Sequence, residues 1–126
     1  MLHVIEYPLY PLSITALPDE VGPEYERQMH ARAEQMLHEQ LERSGAASLA
    51  WPVQVHLIDS PGGRPDEAIL GFLDEHAIDL LVMGSIGRGG NPGVMIGNTA
   101  ERLLPEVQCS VLAVKPPDFV CPIRQP

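Results

Sequence analysis

At 126 residues the chain is long enough for a single core, and it reads as one domain over residues 1–126, with 116–126 as an extended tail. Its formal charge of −9, from 17 acidic against 8 basic residues, repels nucleic-acid phosphates and anionic lipid surfaces. The longest apolar runs are strand-sized, far short of the roughly 20 residues a membrane helix needs. Cys109 and Cys121 lack both a metal-type spacing and the density of a secreted disulfide scaffold, so a reducing cytoplasm is expected.

Strand and helix signals alternate along the chain, which predicts a parallel α/β sheet. Met1 to Glu6 reads as the first strand. A proline-punctuated loop follows from Tyr7 through Pro18 to Pro23, longer than most connections and so a candidate lid or binding loop. From Pro23 the spacing of Tyr25, Met29, Ala33, Met36, Leu37 and Leu41 predicts a helix with one apolar face, ended by Ser44-Gly45. Val53 to Ile58 reads as the second strand and Asp59 to Gly63 as a turn. Pro65 suits a first helical position, and Asp66 and Glu67 stand where the positive helix end favours them, so a helix carrying Ile69, Phe72 and Leu73 is expected.

The stretch after this helix is the most informative. Leu80 to Met83 is short and wholly apolar, as a strand buried on both faces should be. It breaks into Gly84, Gly87, Gly89, Gly90, Gly93 and Gly97, and a helix restarts with Ala100, Leu103, Leu104 and Val107 at helical spacing. Glycine permits positive φ and close backbone approach, so successive amides can converge on an anion at the next helix's start. A nucleotide phosphate is the expected guest. The last strand is Val111 to Val114, stopped by Pro116-Pro117.

Gly84-x2-Gly87-x9-Gly97 followed by a small polar residue resembles the ATP-binding signature of the universal stress protein family. The likeness extends back through Gly63 to Leu70 and His76 to Gly84, and forward through Asn98 to Leu104 and Cys109 to Lys115. Asn98 stands where the family more often has Ser or Thr, and the Gly-Asn-Thr-Ala-Glu variant is more similar to second domains of tandem members. The resemblance implies a three-layer, Rossmann-like fold of the adenine nucleotide alpha hydrolase type, with sheet order 3-2-1-4-5. Leu2 to Glu6 aligns with the end of the family's second strand. The pattern's first strand, its Pro-x-Asp ribose contact and its first helix therefore have no counterpart, which implies a sheet of about four strands.

An empty central slot would leave rows of unpaired backbone groups, at about 1–3 kcal/mol for each buried one. Three arrangements avoid that: a sheet of order 2-1-3-4, a strand supplied by another chain, or a longer natural product. A missing covering helix would also expose an apolar face, so a homodimer is expected.

Carried over by position, the family's adenine contacts fall on Val4 and Met83. The phosphate contacts fall on Gly84, Gly87, Gly97, Asn98 and Thr99, with Arg88 as an added cation and Thr99 also as a helix cap. Each has a plainer structural alternative in core packing, turn geometry or capping. Glu6 would lie near the missing ribose Asp only if the first strand took the central slot. The cofactor implied is ATP or another adenine nucleotide, with magnesium entering only alongside it.

No catalytic constellation or metal set is expected. His3, His30, His38, His56 and His76 lack zinc-ligand spacing, Ser85 has no nucleophile-elbow frame, and no Gly-Lys-Ser/Thr follows the glycines as in a P-loop. The sequence therefore predicts a nucleotide-binding regulatory module without efficient hydrolysis. The alternative is a protein-interaction module of the same fold, using the last strand and the tail from Pro116.

Overall fold

The computed structural model describes residues 1–6, 21–60, 63–86 and 96–121. The proline-rich loop of residues 7–20, most of the glycine segment (residues 87–95) and the end of the tail (residues 122–126) lie outside them. The chain forms two compact units, Met1–Pro65 and Asp66–Pro126.

In the first unit β1 (Leu2–Glu6) pairs in parallel with β2 (His56–Ser60), with Leu2 opposite His56 and Glu6 opposite Ser60. Between them runs α1 (Val21–Ser44), making one βαβ crossover. β2 begins and ends later than the Val53–Ile58 expected from its apolar run. The partner decides this: the His56 amide donates to the Met1 carbonyl at 2.8 Å, and the Met1 amino group donates to Gln54 O, so the ladder opens only at His56. Asp59 and Ser60, expected in a turn, are strand residues, and Gly63 N–H donates back to Ser60 O at 3.2 Å.

α1 starts at Val21, two residues before Pro23, whose missing N–H costs nothing in a first turn. Its inward line is Met29, Ala33, Leu37 and Leu41, with Ala33 and Leu37 buried alongside Ile5 of β1. Met36 and Tyr25, expected on this face, are exposed. Met36 sits a full residue step, about 100°, around the helix from Leu37, beyond the narrow stripe this sheet pair covers. Gly45 ends α1 in the left-handed region (φ 72°), as the Ser44-Gly45 signal predicts, and a short 3₁₀ turn spans Ala46–Ser48. His30 Nε2 lies 2.8 Å from Asp59 Oδ1, tying the middle of α1 to the end of β2.

The second unit repeats the crossover plan. α2 (Pro65–His76) precedes β3 (Leu80–Gly84), α3 (Asn98–Leu103) and β4 (Ser110–Val114), and β3 and β4 are parallel, with Leu80 opposite Ser110 and Gly84 opposite Val114. Leu73, Ala100 and Leu103 are buried, Leu103 completely. α3 is only six residues long because Pro105 supplies no N–H to continue the ladder; Leu104 and Val107, expected on a longer helix, are half-buried in the turn beyond it. α2 ends at Ala77, a non-glycine residue at φ 47°, after His76 has stacked on Phe72 with ring centroids 3.9 Å apart.

Each unit thus holds one two-stranded parallel sheet that closes one βαβ crossover, β1–β2 in the first and β3–β4 in the second. In the second unit Leu80, Val82, Leu112 and Val114 share one sheet face by register, and each is about half exposed. Parallel sheets are usually covered on both faces, so this aliphatic surface is unusual.

Candidate functional site

The site grows from the end of β3. Leu80 to Met83 form an extended strand because apolar, β-branched and straight-chain residues are bounded by the Asp79 entry and the Gly84 exit. The ladder continues one residue beyond the strand, since Ser85 N–H donates to Val114 O at 3.1 Å. Ser85 O then accepts from Gly97 N–H at 2.6 Å. Two hydrogen bonds to one residue thus fasten the end of β3, the end of β4 and the entry to α3 together. This places Gly84 and Gly97, 13 positions apart in sequence, at one junction.

Of the two properties expected of the glycines, positive φ and close backbone approach, Gly84 and Gly97 do not use the first. Neither Gly84 nor Gly97 is among the positive-φ residues, and Gly97 is extended at φ −82°, ψ 159°. A Cβ built on Gly84 would meet only Ile86 O, at an ordinary 3.8 Å. Their contribution at the junction is bare backbone rather than left-handed conformation. Gly87 and Arg88 lie outside the described residues.

α3 starts directly at Asn98, with Gly97 in the N-cap position and no side chain hydrogen-bonded as a cap. Thr99 is therefore the second helical residue and not the cap, because the chain turns helical one residue earlier than a Thr99 cap requires. Asn98 is exposed and Thr99 half-buried. Met83 is half-buried on β3, and Val4 is half-buried on β1 in the first unit. Glu6 ends β1 and is exposed.

Two features of the second unit escaped the sequence reading. Asp66, expected as a partner of the helix end, is almost completely buried, and Arg102 of α3 reaches to 4.0 Å from its Oδ1. Their sequence signal is weak, because only the fold brings a residue 36 positions away opposite the start of α2. The second is Ser85 itself, whose hydroxyl is buried with no hydrogen-bond partner. A small polar residue directly after Gly84 was its only mark.

Elsewhere in this unit a notch of about 220 Å³ opens between the end of α2 and the approach to β4, lined by Leu73, Ile78, Val107 and the free thiol of Cys109 among others. Cys121 is exposed and also free. Among the described residues no group of three His, Cys, Asp or Glu side chains is placed to hold a metal ion, and no helix is long and apolar enough to cross a membrane.

The sequence pattern of the universal stress protein family matches residues 1–115, through both βαβ crossovers and the Gly84–Gly97 junction. The chain belongs to this family. Universal stress protein E of Photorhabdus laumondii is 37% identical over 62 residues, which are 49% of this chain and 20% of that protein. Universal stress protein MJ0531 of Methanocaldococcus jannaschii is 36% identical over 67 residues, 53% of this chain and 39% of that protein. The matched stretches thus span well under half of these curated relatives. Among solved structures, that of hypothetical protein MJ0577 superposes with a TM-score of 0.69 at 20% identity, covering 94% of this chain and 75% of that one. This universal stress protein chain accordingly has the α/β, Rossmann-like fold of parallel strands alternating with helices.

Proposed function

We propose that this universal stress protein chain is a regulatory module that binds an adenine nucleotide, ATP or a close relative, and is not an efficient enzyme. The observation that carries this reading is the Ser85 clamp, which joins Gly84 and Gly97 at the carboxyl end of β3, where open α/β sheets take their ligands. The residues present fit a phosphate group in three respects. The backbone at Gly84 and Gly97 carries no side chain, the first turn of α3 has no side-chain cap, and a buried hydroxyl beside them lacks an acceptor.

In this reading Gly84, Gly97, Asn98 and Thr99, with Gly87 and Arg88, meet the phosphates, and Met83 beside them meets the adenine. Magnesium enters only with the nucleotide. The module works in the cytoplasm as a homodimer.

Calorimetric titration of the chain with ATP tests the reading. Saturable binding that Gly97→Val abolishes supports it; no heat and no thermal shift at millimolar ATP refutes it. A second reading, a protein-interaction module of the same fold, is favoured by the half-exposed aliphatic face of Leu80, Val82, Leu112 and Val114. It gains ground if ATP leaves the chain unaffected while light scattering shows association.

A further inference from the structure

From Ser44 to Ile58 the chain carries no Asp, Glu, Lys or Arg, its longest such run, although charged residues make up 20% of the whole. The run holds the single tryptophan, Trp51, which is 83% exposed, with Leu49 at 60% and Val53 at 37%. Scattered apolar side chains on a surface are ordinary. An exposed aromatic among aliphatics in a stretch free of charge has instead the composition of an interface core.

The run leads into β2, and hydrogen bonds fix which way its backbone turns. The Gln54 carbonyl accepts from the Met1 amino group and the His56 N–H donates to the Met1 carbonyl, so both residues face the β1 side. Backbone groups alternate along a strand, so those of Val55 and Leu57 face the other edge. Among the described residues no strand pairs with that edge. Sheet edges are commonly guarded by proline or charge. Here Pro52 guards one end and Asp59 the other, and Val53 to Ile58 stand open between them.

We propose that this edge is the dimer interface, pairing antiparallel with the same segment of a second copy about a two-fold axis at Val55. The inference rests on the homodimer reading above and gives that dimer its contact surface. A copy carries the same charge of −9 and is repelled except where charge is absent, which this run supplies; a basic partner would seek the acidic surface instead. About Val55 the segment is self-complementary, with Val53 opposite the partner's Leu57 and Gln54 opposite the partner's His56. The two Asp59 carboxylates fall at opposite ends of the shared ladder, so like charges do not meet. Trp51 then lies diagonal to the partner's Leu57, within reach of an aromatic ring, and pairing covers it. The helices also fit. α1 touches both β1 and β2, so a sheet continued through β2 sets the two α1 helices about two strand spacings apart, roughly 10 Å, which is a helix-packing distance.

The test dilutes the full chain through the micromolar range. Light scattering reads its mass, and the emission of Trp51 reads whether this edge is covered. Both are expected to change with one midpoint, the emission moving to longer wavelength as the dimer parts. Trp51→Ala, followed by light scattering, and Val55→Pro, which removes an edge-facing donor, should each weaken association about tenfold or more. Urea unfolding below the dimer midpoint should be near wild type for both, since Trp51 is exposed and the Val55 N–H takes no part in the β1 ladder. Should Val55→Pro fail to fold, Trp51→Ala decides.

Mass that falls on dilution while Trp51 emission stays fixed overturns the inference and leaves the homodimer reading standing on another surface. Trp51→Ala associating as tightly as wild type overturns it in the same way. A chain that stays monomeric throughout overturns both the inference and the homodimer reading.

Discussion

Replacing Ala77 by glycine should stabilise the protein. Ala77 ends α2 at φ 47°, where a Cβ crowds the backbone and costs an L-residue about 1–2 kcal/mol. Glycine removes that strain but adds freedom to the unfolded chain, a loss of about 0.4–1 kcal/mol. The Ala77 methyl is exposed, so no core packing is forfeited, and the Phe72–His76 stack one turn earlier is untouched. The difference is a gain of about 0.5–1 kcal/mol, or roughly 2–5 °C in melting temperature for a chain of this size. Urea unfolding followed by circular dichroism reads it as a higher midpoint with an unchanged slope. A midpoint at or below the wild-type value would show that Ala77 is not strained and that the local argument is wrong.

Other substitutions follow from the same structure. Gly71 lies inside α2 and an added Cβ meets nothing within 4 Å, so Gly71→Ala should stabilise by about 0.5–1 kcal/mol in the same urea assay. Gly45→Ala should do the reverse by about 1 kcal/mol, since its φ of 72° caps α1. Leu103 is fully buried, and Leu103→Ala should lower stability by about 2–5 kcal/mol, seen as a large fall in the urea midpoint. The double variant Val82→Thr, Leu112→Thr on the half-exposed face should change stability little and reduce association, measured by light scattering across a concentration series.

What the sequence made legible was whatever depends on neighbours along the chain. The end of α1 at Gly45, the start of α2 at Pro65 and the apolar β3 are written in local chemistry and stand where that chemistry puts them. β2 starts later than its apolar run because a strand's limits belong to the pair, and its partner meets it only from His56. The covered stripe on α1 is narrower than its apolar periodicity, because periodicity records which residues can face inward, not how much sheet there is to cover them. At the junction, the spacing of Gly84 and Gly97 was legible, whereas their meeting through Ser85 is a long-range hydrogen bond with no sequence signature. Burial of Asp66 opposite Arg102 was hidden for the same reason.

The two parallel ladders also differ in how far the chain must travel to close them. Leu2 meets His56, 54 positions on, whereas Leu80 meets Ser110 only 30 positions on. Closing the longer loop costs about 0.5 kcal/mol more in chain entropy. On loop length alone the β3–β4 crossover is expected to form first, and with it the glycine junction that its last hydrogen bonds build. Substitutions in the β3–β4 crossover should accordingly slow folding, and those between β1 and β2 should mainly speed unfolding.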